Sequence, residues 1–148
     1  MIGESMTIIG TEFVMDKSQE YIKMCCEADE IQKMWIVTDG DFYAVKKSKK
    51  AKLFILNYWK SREDISEPKS LFFWIPRLDQ IQDMIDWTKW ECRIVKKDQF
   101  ELHYINIAGE QHRTFVCGKT MEQLWLAFVM SERFGKFWDE ENEEWKTA

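Results

Sequence analysis

The sequence predicts a single α+β domain over 1–148, with about three helices packed on an antiparallel or mixed sheet of about five or six strands. Three observations carry this. Segments 16–35 and 76–88 repeat apolar residues at three- and four-residue spacing. Several short runs rich in Phe, Tyr, Ile and Val, bounded by turn residues, read as strands. A last helical stretch, opened by Thr120 and closed by Gly135, is apolar on more than one face. At 148 residues, such a chain buries enough surface to fold without a disulfide or a metal.

Asp16 is the expected cap of the first helix, with Gln19 at the reciprocal position. Tyr21, Cys25, Ala28, Ile31 and Trp35 then form one helix face. The turn Thr38-Asp39-Gly40-Asp41 ends it. Two β runs follow, Phe42 to Val45 and Leu53 to Trp59, joined by the link KKSKKAK with five Lys in seven residues. After the loop SREDISEPKS, LFFWI (71–75) suits a buried strand. Pro76 favours the first turn of a second helix, whose inner stripe is Leu78, Ile81, Met84, Ile85 and Thr88. ECRIV (91–95) reads as a strand. FELHYINI (100–107) and HRTFVC (112–117) read as a hairpin that pairs Ile107 with His112 and places His103 opposite Val116.

Thr120 and Gln123 form a capping box for the last helix, and Gly135 suits its C-terminal end. Leu124, Trp125 and Phe128 make one stripe, while Leu126, Val129 and Met130 make another. Such a helix belongs inside, against a sheet and other elements at once. The acid-rich end, 139–148, is expected as a mobile tail. DEIQKM (29–34) and DQIQDM (79–84) echo each other, most simply as two unrelated amphipathic helices, the alternative being a duplicated helix-plus-strands unit.

Charge is unevenly spread. The formal net is −5, but 1–45 and 98–148 are acidic and 46–97 is basic. Nothing is extreme enough to require nucleic acid. The four cysteines, Cys25, Cys26, Cys92 and Cys117, contain no CxxC and fit a reducing, cytoplasmic setting. The start MIGESMTIIG has no basic segment of the secretory kind. The apolar run 124–130 is far shorter than the ~20 residues that span a bilayer. No membrane association is expected.

Three segments, EYIKMCCEADEIQKMW (20–35), FWIPRLDQIQDMI (73–85) and TMEQLWLAFVMSERFGKFWDEENEEW (120–145), resemble in this order a group of uncharacterised proteins encoded by phages and prophages of Gram-positive bacteria. The chain departs from that group in its lysine link and in its acidity between Trp138 and Trp145. The resemblance implies a phage setting, in the host cytoplasm, and no reaction or catalytic residue.

No constellation for catalysis is evident. His103 and His112 are the only histidines, and a zinc site would need Cys92 or Cys117 to converge on them. No GxSxG or phosphate-loop motif occurs, and Gly118-Lys119-Thr120 is better read as a helix start. The carboxylate pairs Asp79/Asp83, Asp83/Asp86 and Glu143/Glu144 read as solvated charges. No cofactor and no metal are expected, and the protein reads as a non-enzyme.

Two stretches are candidates for binding. Trp138, Asp139, Glu140, Glu141, Glu143, Glu144 and Trp145 combine carboxylates with aromatic anchors that would engage a host or phage protein, including one of a host defence system. The alternative is nucleic acid or a signalling nucleotide, held by Lys46, Lys47, Lys49, Lys50 and Lys52 with Tyr58 and Trp59 stacking. A role in building the virion is a third reading. The aromatic content of 15% exceeds what a minimal core requires and is compatible with a homodimer.

Overall fold

Helix α1, Gln19–Glu27, begins where Ser18 leaves the extended region and its hydroxyl accepts from the Tyr21 amide at 3.1 Å, which satisfies one of the orphan donors of the first turn. The structure, a computed structural model, describes residues 15–46, 54–55, 72–108 and 114–148. Asp16 is not the cap. Its carboxylate instead accepts from the Ser18 amide, the Thr120 hydroxyl and the Gln123 side chain, and its own amide donates to Glu122 at 2.7 Å. Asp16 therefore ties the beginning of the described chain to a distant helix N-terminus, where a negative charge is favoured.

The expected single helix over 16–35 is two. At Ala28 the backbone leaves the helical basin, with φ −90° and ψ 77°, and α2 (Asp29–Lys33) restarts beyond it. The break has a physical cause in the Gln32 side chain. Its amide donates to the Cys25 carbonyl at 2.9 Å, beside the Ala28 amide, which donates to the same carbonyl at 3.2 Å. The same amide donates to the Trp74 carbonyl at 2.8 Å, and its oxygen accepts from the Trp74 amide at 2.7 Å.

Strands β1 (Phe42–Val45), β2 (Phe54–Ile55) and β3 (Phe72–Ile75) form an antiparallel sheet in the order β2-β1-β3. Gln32 thus stands where a further strand would pair with β3. Gly40, at φ 90°, makes the turn before β1, a conformation that favours glycine. Asp41, 1% exposed, knots this region together. It accepts from the Trp35 indole, the Thr38 amide and the Gln80 side chain, at 2.7–2.9 Å. The Arg77 guanidinium lies 3.7 Å away, so the buried carboxylate is both hydrogen-bonded and paired.

Helix α3 is shorter than its apolar stripe, running only over Leu78–Gln82. Arg77 is its N-cap, and the Arg77 amide donates to the Gln80 side chain at 2.9 Å. Met84 and Ile85 follow in a turn and still pack against the core. The chain then enters a second antiparallel sheet in the order β4-β5-β6: Trp90–Lys96, Phe100–Asn106 and Thr114–Gly118. Its register differs by one residue from expectation. His103 lies opposite Phe115, and Leu102 opposite Val116, which puts buried Leu102 and half-buried Val116 on the same face. The echoed segments 29–34 and 79–84 precede sheets of different strand order, β2-β1-β3 and β4-β5-β6.

Helix α4, Met121–Phe134, starts at Thr120, whose hydroxyl accepts from the Gln123 amide at 3.2 Å. Gln123 returns a bond to the Lys119 amide, one residue before the cap. Gly135 ends the helix at φ 64° and ψ 33°, the left-handed conformation that closes many helices. Gln123 to Met130 are buried without interruption. The helix packs against β5, β6, α3 and α1 and against a final hairpin. Phe128 sits at the centre, edge-on to Tyr104, Trp125 and Trp90, with ring centroids 4.7–5.8 Å apart, the preferred aromatic arrangement.

The acidic end is not a tail. Strands β7 (Lys136–Asp139) and β8 (Glu144–Thr147) form an antiparallel hairpin that pairs Trp138 with Trp145. The structure is therefore α+β, with four helices and eight strands among the described residues, more strands than the sequence suggests. This hairpin accounts for two of them. No helix among the described residues is long and apolar enough to cross a membrane.

Candidate functional site

The hairpin fixes the geometry of one candidate surface. The Trp138 and Trp145 rings lie 5.1 Å apart, and the Trp145 indole donates to the Met24 carbonyl of α1 at 2.9 Å. Both rings pack on the core, so they anchor the hairpin to its own protein. The acids divide into two groups. Asp139 organises the turn, accepting from the amides of Glu141 and Asn142 and from the Asn142 side chain. The Lys146 ammonium, and then Asn142, hold the Asp139 carboxyl well below the usual carboxylate range. Glu140, Glu141, Glu143 and Glu144 are exposed. Of these, only Glu144 has a cation within 4.0 Å among the described residues, Lys146 at 3.9 Å. The turn is a concentrated negative charge on a rigid base.

Beside it runs a groove of about 300 Å³. Phe115, Cys117 and Gly118 of β6 line one side, and Phe137 and Trp138 of β7 line the other. Met24, Gln123 and Ala127 from α1 and α4 also line it, and Glu140 brings the acidic turn to it. Phe115 is 55% and Phe137 49% exposed, so two large apolar rings border the groove. Gly118 allows β6 to approach α4: a Cβ there would lie 2.4 Å from the Leu124 amide nitrogen. The Lys119 ammonium contacts Glu20, another lining residue, at 2.9 Å.

The strand edges give this groove chemical meaning. Among the described residues, β6 is the last strand of its sheet and β7 pairs only with β8. Among the described residues, neither outer edge has a backbone partner. Such edges present unpaired N–H and C=O groups and are ready templates for an added strand.

Of the lysine-link candidates, the described residues include only Lys46. Lys46 is exposed, with its ammonium 5.2 Å from the centre of the Phe73 ring. Lys47, Lys49, Lys50, Lys52, Tyr58 and Trp59 lie outside the described residues, as does His112. His103 contacts Glu101 at 3.0 Å and stacks on Phe115. Among the described residues, no group of three or more His, Cys, Asp or Glu side chains is placed to hold a metal ion. All four cysteines are free. Burial pushes each thiol up, that of Cys26 to about 12, whereas a nucleophilic cysteine needs its thiol lowered.

Sequence reading singled out Trp138 and Glu140 and took Gly118 only as part of a helix start, and it missed Phe115. The visible signal for Phe115 was its place beside Val116 in a run that reads as a strand. Nothing local pairs it with a residue of β7. Comparison with protein-family models, with curated proteins and with solved structures finds no match.

Proposed function

We propose that this chain is a non-enzymatic binding protein whose groove between β6 and β7 receives an extended segment of another protein. The observation that carries the reading is that two strands whose outer edges lack backbone partners, among the described residues, line one groove that carries exposed apolar rings. Strand addition uses main-chain hydrogen bonds for affinity and alternate side chains for specificity. Phe115 and Phe137 would grip apolar side chains of the incoming segment. Glu140 and Glu141 would favour a basic residue at the hairpin end. The resemblance to phage-encoded proteins supports a host or phage protein as the partner, with a host defence component as the leading class and the host cytoplasm as the place.

Affinity capture from a Gram-positive bacterial lysate tests this with three proteins: the natural chain, a Phe115→Lys/Phe137→Lys variant and a Glu140→Lys/Glu141→Lys variant. The natural chain is expected to retain one protein in near-equal amount, and both variants are expected to lose it. Equal retention by all three would place the contact elsewhere, and retention of nothing would remove the reading. The second reading, nucleic acid or a nucleotide on the lysine link, draws support from the five lysines of 46–52. It requires binding that weakens steeply with salt and disappears in Lys49→Glu/Lys50→Glu.

A further inference from the structure

Among the described residues, the sheet β4-β5-β6 has a second border, along β4. Two hydrogen bonds at the ends of the β4–β5 pair show which β4 groups face outward. The Ile107 amide donates to the Lys89 carbonyl at 2.8 Å, and the Lys97 amide donates to the Gln99 carbonyl at 3.0 Å. Both bonds join directly opposed residues, since Trp90 stands opposite Asn106 and Lys96 opposite Phe100. Hydrogen-bonded and non-hydrogen-bonded pairs alternate along an antiparallel ladder. Glu91, Arg93 and Val95 therefore bond to β5, while the N–H and C=O groups of Trp90, Cys92, Ile94 and Lys96 point away from it. Among the described residues, those outward groups have no backbone partner. Glu91, Arg93, Ile94 and Lys96 are exposed. An edge of seven residues in unbroken register is a template for another strand.

The side chains indicate which strand fits. Glu91 and Arg93 stand two residues apart and so share one face of the sheet. Neither side chain forms an ion pair among the described residues. When two β4 strands run antiparallel about a twofold axis at Cys92, Glu91 of each faces Arg93 of the other. These are non-hydrogen-bonded pairs of the new ladder, where opposed side chains come closest. Trp90 of each then faces Ile94 of the other, and Cys92 faces its own copy, at the positions whose backbone groups point outward. Moving the axis to Glu91 or to Arg93 sets like charges opposite each other. Moving it to Ile94 offers Glu91 only Lys97, which already contacts Glu101 at 3.5 Å.

We propose that β4 pairs with β4 of a second copy of this chain, antiparallel and centred on Cys92, so that the two sheets become one. Symmetry supplies both ion pairs from a single pair of residues. The contact lies on the opposite border of the sheet from the groove and does not depend on what the groove binds.

Sedimentation over a range of concentrations, with charge reversals, tests this. The natural chain is expected to dimerise between about 1 and 200 µM, as suits a small interface. Glu91→Arg alone, or Arg93→Glu alone, opposes like charges at both pairs and should weaken the dimer about tenfold or more. Glu91→Arg/Arg93→Glu together restores the match and should recover the dimer to within about threefold. In the natural chain, hydrogen exchange at the Trp90, Cys92 and Ile94 amides should slow as the dimer forms. The Glu91 and Arg93 amides, already bonded to β5, should change less. That measurement decides the matter if a variant fails to fold. The proposal is overturned if the natural chain stays monomeric up to about 200 µM, or if a folded single reversal dimerises as well as the natural chain. It is equally overturned if a folded double reversal dimerises no better than the singles, or if exchange at the outward amides is independent of concentration.

Discussion

The side-chain amide of Gln32 pairs with the backbone of Trp74 as a neighbouring strand would, accepting its N–H at 2.7 Å and donating to its C=O at 2.8 Å. The Trp74 amide and carbonyl both bond to this one side chain, and the Cys25 carbonyl, which also accepts from the Ala28 amide at 3.2 Å, shares its nitrogen. Gln32→Leu leaves all three without it. We expect a loss of about 1–3 kcal/mol in urea unfolding, with faster hydrogen exchange at the Trp74 amide. An unchanged midpoint and exchange rate would show that β3 does not need Gln32.

That contact also marks the limit of local sequence reading. The first helical segment was legible from its apolar spacing, but its break at Ala28 was not, because the cause lies at Trp74 in β3. The last helix was legible to within a residue, since Thr120, Gln123 and Gly135 act within their own turns. The hairpin was hidden because Lys136–Asp139 has no clean alternation and the acid run reads as solvated charge. The groove was hidden for a further reason: β6 and β7 are separated by all of α4.

Helix α4 is interior on nearly all sides. Leu124 and Phe128 are 0% and 1% exposed, so Leu124→Ala or Phe128→Ala should each cost about 2–5 kcal/mol by lost transfer energy and residual cavity. Denaturant titration followed by circular dichroism measures this, and losses under about 1 kcal/mol would contradict the burial.

Gly118 permits the close passage of β6 and α4. In Gly118→Ala the new methyl would sit 2.4 Å from Leu124 N and 2.7 Å from its Cα, and backbone yields less readily than a side chain. The cost should be about 1–3 kcal/mol or more, seen as a lower melting temperature. A melting temperature equal to that of the natural chain would mean the contact relaxes freely.

Asp139 gives the hairpin an acid dependence. Its carboxyl is held below its ordinary value by Lys146 first and then Asn142. The stabilisation is thus present above the unfolded value, near pH 4, and is lost as pH falls toward the lower folded value. Melting temperatures of Asp139→Asn should fall less steeply than those of the natural chain below about pH 4. Parallel acid limbs would show that the Lys146 contact is too exposed to matter.

The groove itself is best tested by a photo-crosslinking side chain, benzoylphenylalanine, placed in turn at Phe115, at Phe137 and at Ile36, which is 84% exposed and lies outside the groove. Illumination in Gram-positive bacterial cells should join the same second protein to positions 115 and 137 and not to 36. Adducts of equal yield at all three positions, or none at 115 and 137, would contradict docking between β6 and β7.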